Sequence, residues 1–526
     1  MKDPVRYLSQ RDRDSLRPVH VVWEITLACD LKCQHCGSRA GKKRPDELTT
    51  AECLDLVRQF ARLGTREVTL IGGEAYMRRD WLEIIREIRA QGMDCTMQSG
   101  GLHFTKERIK QAIDAGLQAA GISIDGLEED HDRLRGVKGS FQAAVKSLKW
   151  ISECGLTSSV NTQITSSVIP QLRELMNLFI ECGAKNWQIQ LTVAMGRAAD
   201  NPELLLQPYE LLKLMPLLAE LHQEGIDRGM LMQPGNNIGY FGPYEHLWRG
   251  NGDDRVHWTG CNAGQNTIGV EADGTIKGCP SLPTYPYAGG NIRDLKLKTI
   301  LRNTPQLAFN QTRGVDDLWG FCRSCYYADV CRGGCTWTSH SLLGRSGNNP
   351  YCHHRVLELA ERGLRERIVQ IERAPGKSFD HGRFALIVEN LDGTAPRDGE
   401  TFIQAELPIS GNSLIQIQRT KIQPNGKSKL LGNGKSARAA MSRKDVRTGN
   451  QQSVSNRKTG AKLNQIRTPN LEICRGCKRH VKEGTETCPH CGGSIKTLAK
   501  LYAENLRQAK TAYDHLLNLV MPSRHS

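Results

Sequence analysis

Between residues 19 and about 235 the chain alternates short apolar runs with amphipathic helical segments, six times over. Runs such as VHVVWEIT, REVTLIGG, MDCTMQSG, LQAAGISIDG, LTSSVNTQIT and NWQIQLTV read as strands of a parallel sheet covered on both faces. The helical segments between them stop at glycines, the favoured residue just past a helix end. Thr49 with Glu52 three residues on predicts a capping box at the first helix. Asp80, with Glu83 behind it, marks the start of the second, and a last helix spans roughly 207–225. Right-handed crossovers wind such units into an open barrel. The same alternation also fits a complete barrel or a doubly wound sheet. Barrels of this kind bind ligands at the carboxyl ends of their strands, and the chemically loaded segments of this chain fall there.

The first of these is ITLACDLKCQHCGSR, in which Cys29, Cys33 and Cys36 stand as CxxxCxxC. A [4Fe–4S] cube needs four ligands; three leave one iron open. On spacing alone a structural zinc knuckle stays open as an alternative, although zinc wants a fourth protein ligand. Gly72, Gly73 and Glu74 end the second strand, and SGG and SIDG end the third and fourth. Together these segments resemble the radical S-adenosylmethionine (radical SAM) superfamily. The resemblance implies an α/β fold with a partial (β/α)6 barrel, whose open iron chelates S-adenosylmethionine. It implies that the Gly72-Gly73-Glu74 loop holds the cofactor's amino group, that His35 packs beside its adenine, that Ser123 contacts it and that Arg135 pairs with its carboxylate. The plain alternatives are a capping serine, a surface ion pair and a packed ring. Ala75 stands where the family often has proline, which is not a ligand. The chemistry implied is reductive cleavage of the cofactor to a 5′-deoxyadenosyl radical that takes hydrogen from an unactivated C–H bond.

Over residues 236–360 the alternation stops and Gly, Pro, Trp, Tyr and Cys become frequent. Cys261 and Cys279 precede FCRSCYYADVCRGGC, which carries Cys322, Cys325, Cys331 and Cys335, and Cys352 follows. This ordered set resembles the SPASM domain of peptide and protein maturases. The resemblance implies that Cys322, Cys325, Cys331 and Cys352 saturate one auxiliary [4Fe–4S] cluster. Cys261, Cys279 and Cys335 would bind three irons of another, with His257 a candidate for the missing ligand; one or two auxiliary clusters are expected. Soft thiolate sets also suit zinc. Anaerobic sulfatase maturases carry an aspartate base after the second of these cysteines, where this chain has Pro280. Sulfatase maturation is therefore disfavoured, and no catalytic base is identified.

Residues 361–410 read as a small extension containing the strand-like GRFALIVEN. Residues 411–470 hold thirteen Lys/Arg against one acid, Asp445, and so carry most of the net charge of +15. Such a polar, basic stretch reads as a disordered linker, with a tether for an acidic partner as the functional alternative. Cys474, Cys477, Cys488 and Cys491, spaced CxxC–x10–CxxC, make a zinc-ribbon-like knuckle over 471–495. Zinc is the expected ion, because so short a segment has no core without one; a partner- or substrate-binding role is expected of it. A C-terminal helix over 496–526 and an N-terminal extension over 1–18 complete the chain. Cys53, Cys95, Cys154 and Cys182 stand alone in apolar stretches, as inert thiols do.

No apolar run is long enough to span a membrane, and MKDPVRYLSQRDRDSLRP lacks the apolar core of a signal peptide. A cytoplasmic protein is expected, in which the fourteen clustered cysteines of the eighteen serve as metal ligands rather than disulfides. MQSGG, NTQIT, QLTVAMGRAAD and QPGNNIGYFGPYEHLWRG are similar to a subgroup of maturases associated with small GDL-motif peptides. The resemblance implies a maturase that installs a cross-link, thioether or epimerised centre in a small ribosomal peptide, served by an electron donor such as flavodoxin or ferredoxin. One rival is a radical SAM enzyme acting on a small molecule such as a haem-pathway intermediate. Another is a metal-dependent nucleic-acid or protein binding module using residues 411–491; base-reading motifs are absent, which disfavours nucleic acid.

Overall fold

The alternation is realised as parallel strands β1 (His20–Glu24), β2 (Glu67–Ile71), β3 (Asp94–Ser99), β4 (Ala119–Ser123), β5 (Thr157–Ile164), β6 (Asn186–Leu191) and β7 (Leu231–Pro234). They lie side by side in chain order. Between them run α1 (Thr50–Leu63), α2 (Trp81–Ala90), α3 (Lys106–Ala115), α4 (Glu128–Arg135), α5 (Ser140–Glu153), α6 (Leu172–Glu181) and α7 (Leu211–Asp227). On the other side of β1 the sheet continues through β8 (Thr267–Val270), parallel to β1, and then β9 (Thr275–Lys277) and β10 (Ala288–Asn291), both antiparallel. The two edges are β7 and β10, so the sheet stays open, as the α/β partial barrel requires. This computed structural model describes residues 8–9, 12, 17–250, 256–395, 401–404, 418–420 and 468–520.

Local chemistry accounts for the element ends. Thr49 and Glu52 form the expected capping box, with the Thr49 N–H donating to Glu52 Oε2 at 2.7 Å; such a cap is worth about 1 kcal/mol. Asp80 starts α2 without capping it. Its carboxylate accepts from Arg78 Nε at 2.7 Å and from Thr50 Oγ1 at 2.6 Å, which ties α2 to the start of α1. The core lies between helices and sheet, where Trp23 meets Phe60 edge-on at 5.8 Å, both fully buried. Truncating Phe60 there would cost about 3–5 kcal/mol.

Two of the elements from β1 to β7 named above escaped the sequence pattern. In α4, EEDHDRLR is too charged to show an apolar stripe; β7, LMQP, is too short for a period and ends in proline. The 361–410 extension is built on β11 (Leu364–Glu372) and β12 (Arg383–Asn390), continued antiparallel by β13 (Thr401–Gln404) and β14 (Gln418–Thr420). β14 lies inside the span read as a linker; most of the rest of 411–470, and most of the 1–18 extension, lie outside the described residues. The knuckle is a hairpin of β15 (Leu471–Ile473) and β16 (His480–Lys482). Helix α8 (His353–Glu361) precedes β11, and α9 (Ile495–Val520) follows the knuckle.

Candidate functional site

The cysteine loop leaves the carboxyl end of β1 and is closed on itself by Cys29 N–H to Gly41 O at 3.0 Å and Gly41 N–H to Leu27 O at 2.9 Å. Glu47 pins its start, accepting from Thr26 Oγ1 and Leu27 N at 2.9 Å each. The three sulfurs receive long contacts: Leu31 N–H to Cys29 at 3.4 Å, Ala40 N–H to Cys36 at 3.4 Å, Ser38 Oγ beside Cys36 at 3.6 Å, and Arg135 Nη1 to Cys33 at 3.7 Å. Burial pushes the Cys33 thiol up, against the pull of Arg135, and burial with the nearby Glu74 does the same to Cys29. One buried and two half-buried sulfurs in such a loop suit a metal cluster, which supplies the positive charge that thiolates need.

The glycines of the next loop are required by contact. Gly73 N–H donates to Thr26 O, and Glu74 N–H to Ala28 O, at 2.8 Å each. A Cβ on Gly72 would lie 2.3 Å from Thr26 O, and one on Gly73 would lie 2.1 Å from Ala28 O, so only glycine lets the two loops touch. Glu74 is turned inward and 2 % exposed. Its carboxylate accepts from Ser99 Oγ and Gly100 N at 2.6 Å each. Burial raises its pKa to about 7 despite these two donors. Ser99 ends β3 and Gly100 follows it, and only that strand-end position marks them in the sequence.

Arg135 and His35 converge on a residue that sequence reasoning passed over, Asp125 of the SIDG segment. Asp125 Oδ2 lies 2.5 Å from Arg135 Nη2 and 2.9 Å from His35 Nε2, and all three side chains are buried. Burial alone would raise the Asp125 pKa, but Arg135 and His35 outweigh it and hold the carboxylate well below its usual range. Ser123 sits half-buried at the end of β4, two residues before Asp125 and opposite Asn161 of β5. Beside these residues the register of β3 to β6 places Gln98, Ser123, Asn161, Gln163, Gln188 and Gln190 on one half-buried face, while alternate residues enter the core. Asn161 Nδ2 donates to Gln98 Oε1 at 2.6 Å across this face.

The seven later cysteines fall into two groups. Half-buried Cys331 has its thiol pushed up by desolvation and raised further by Cys352, Cys322 and Cys325 beside it. Burial pushes Cys325 to about 12. Cys335 likewise reaches about 12 through burial and the neighbouring Cys261 and Cys279, and burial takes Cys279 to about 11. Both donor sets are soft and shielded, and so fit iron–sulfur clusters. His257 Nδ1 lies 3.1 Å from Trp258 O, and its ring packs near Phe241 and His480. Of the solitary thiols, Cys53, Cys95 and Cys182 are buried and Cys154 is half-buried.

In the knuckle Cys474 Sγ lies 3.8 Å from Cys491 Sγ, and Cys477 Sγ lies 3.7 Å from Cys488 Sγ. A tetrahedral zinc ion with bonds of about 2.3 Å to sulfur has Sγ–Sγ edges of about 3.8 Å. The knuckle is docked on the segment around Cys325. Tyr327 Oη donates to His480 O at 2.5 Å and lies 2.8 Å from His490 Nε2. Lys482 N–H donates to Tyr326 Oη, and Lys482 Nζ pairs with Asp329, at 2.9 Å each.

Comparison with known proteins agrees with this geometry. The family model of the radical SAM superfamily matches residues 23–178, and that of the SPASM iron-sulfur cluster-binding domain matches residues 261–326. The chain is 28% identical over 358 residues to the AdoMet-dependent heme synthase of Oleidesulfovibrio alaskensis, covering 64% of this chain and 87% of that protein. It is 28% identical over 352 residues to the mycofactocin maturase MftC of Mycolicibacterium smegmatis, covering 66% and 86%. It is also 28% identical over 344 residues to the PqqA peptide cyclase of Methylocella silvestris, covering 64% and 88%. Among solved structures, Streptococcus suis SuiB bound to S-adenosylmethionine shares the fold with a TM-score of 0.51 and 18% identity, over 65% of this chain and 78% of that one.

Proposed function

The chain belongs to the radical SAM enzyme superfamily and carries a SPASM domain, and on that premise we propose that it is a maturase that modifies a small ribosomally made peptide. The carrying observation is the half-buried face of Gln98, Ser123, Asn161, Gln163, Gln188 and Gln190. No residue of β3 to β7 is Lys or Arg. Amide side chains both donate and accept hydrogen bonds, as a peptide backbone does; an acidic small molecule calls for cations instead. The mycofactocin maturase and PqqA peptide cyclase among the relatives support this reading. The heme synthases favour the second reading, a small-molecule substrate such as a haem-pathway intermediate.

Cys29, Cys33 and Cys36 would hold the cluster, and Gly72, Gly73 and Glu74 would meet the amino group of S-adenosylmethionine. When bound, the cofactor and cluster supply radical chemistry able to take hydrogen from an unactivated carbon. The chain's own part is to fix and shield. Asp125 holds Arg135 and His35 beside Cys33, Ser99 and Gly100 hold Glu74, and the amide face orients the substrate carbon. Cys322, Cys325, Cys331 and Cys352 would hold one auxiliary cluster, and Cys261, Cys279 and Cys335 another. The sulfur spacing supports zinc in the knuckle. Among the described residues no helix is long and apolar enough to cross a membrane. We place the substrate with the GDL-motif peptides and the electron supply with a flavodoxin or ferredoxin. The test is anaerobic co-expression with a candidate precursor peptide, with a Cys33→Ala control. A mass loss of two hydrogens, or deuterium uptake at one residue from heavy water, with the intact enzyme alone supports the maturase. An unmodified peptide alongside turnover of a tetrapyrrole would move the assignment to the second reading.

A further inference from the structure

We propose that His354, Glu358 and His490 form a second zinc site, separate from the four cysteines of the knuckle, at the seam where the knuckle meets α8. His354 and Glu358 stand four residues apart on α8 and so share one face. His490 is brought to them by the CPHC turn of the knuckle. Glu358 Oε1 lies 3.8 Å from His354 Nδ1 and 3.8 Å from His490 Nδ1. All three donor atoms lie within 4.8 Å of one another. The two imidazoles are 4% and 3% exposed.

Three features point to an ion rather than to packing. His354 Nδ1 is buried without a hydrogen-bond partner, and it faces the carboxylate. The distance of 3.8 Å is too long for a hydrogen bond. Zinc with bonds of about 2.0–2.2 Å to nitrogen and oxygen has tetrahedral edges of about 3.4 Å, so each imidazole needs to approach the carboxylate by less than half an ångström. Finally, His490 has its remote nitrogen fixed: Nε2 lies 2.8 Å from Tyr327 Oη, which leaves Nδ1 toward Glu358. A hydrogen bond on the far nitrogen is the usual way an imidazole ligand is oriented. Two imidazoles and a carboxylate, with water in the fourth position, are a known zinc donor set.

The competing partner of Glu358 is Arg479, whose Nη1 lies 3.7 Å from Glu358 Oε1. The same nitrogen lies 3.6 Å from Glu361 Oε1, so the guanidinium keeps a counter-ion when Glu358 turns to a metal. Arg479 alone would satisfy the carboxylate and leave the His354 Nδ1 that faces it unmatched. An ion here would staple the knuckle to the helix that begins immediately after Cys352.

The experiment uses the full chain, purified anaerobically with its iron, by elemental analysis and X-ray absorption at the zinc edge, which iron does not contribute to. Two zinc ions per chain with a mixed sulfur and nitrogen/oxygen shell are expected. His354→Gln and Glu358→Gln should each lose one equivalent and leave an all-sulfur shell, with iron unchanged. One zinc per chain with an all-sulfur shell in the unaltered protein overturns the site, as do two zinc ions retained in both variants. A single zinc on nitrogen and oxygen supports this site while removing zinc from the four cysteines.

Discussion

Asp125 Oδ2 lies 2.5 Å from Arg135 Nη2, both side chains are buried, and the same guanidinium reaches the sulfur of Cys33. The pair thus connects the end of β4 and α4 to the cysteine loop. Removing one partner of a buried pair leaves an uncompensated charge, at about 3–5 kcal/mol. Asp125→Asn should lower the thermal midpoint of the iron-loaded protein and hasten loss of its iron. A midpoint and an iron content equal to those of the unaltered chain would show that the clamp does not hold the loop.

Gly73→Ala should remove iron selectively. Its Cβ would lie 2.1 Å from Ala28 O, a backbone atom that moves only with the cysteine loop. Iron content should fall by about four per chain, one cube's worth, with the auxiliary sets retained. Ala75→Pro should be nearly neutral in the same assay. Ala75 opens a 3-10 turn, and Glu74 before it is extended, with φ −128 and ψ 117, which proline tolerates.

Glu24 predicts a pH dependence. Burial raises its pKa to about 8, opposed by Arg44 and helped by Glu271. The folded carboxyl therefore keeps a proton that the unfolded chain has released, and stability falls as pH rises from about 4.5 through about 8. Glu24→Gln carries no such proton. Thermal midpoints of the variant relative to the unaltered chain should climb between pH 5 and 8.5, whereas parallel curves would refute the linkage.

Tyr327→Phe should loosen the knuckle. The hydroxyl donates to His480 O and contacts His490 Nε2, and a hydrogen bond of this kind contributes about 0.5–1.5 kcal/mol. Amide exchange in the β15–β16 hairpin should quicken by roughly 2- to 12-fold, the same energy expressed as a ratio. Unchanged protection would mean that the remaining contacts dock the knuckle alone.

The amide face offers a test of substrate class. Gln188→Lys puts a cation on a neutral half-buried surface. Peptide turnover should fall through a higher KM, while cleavage of S-adenosylmethionine without peptide stays the same. A raised kcat/KM for an acidic small molecule would count for the second reading.

The sequence by itself determined whatever depends on neighbours in the chain. Apolar alternation specified β1 to β6, Thr49 and Glu52 specified a cap, and CxxxCxxC and CxxC–x10–CxxC marked metal-binding loops. These signals are legible because helix period, strand period and ligand spacing are each short-range properties. Only the tertiary structure decided which distant residues meet. It brought Asp125 to His35, Ser99 to Glu74, β8 alongside β1, and His490 to Glu358. No local pattern encodes such meetings, because they follow from how strands order in a sheet and from where burial leaves a charge or a ring nitrogen needing a partner.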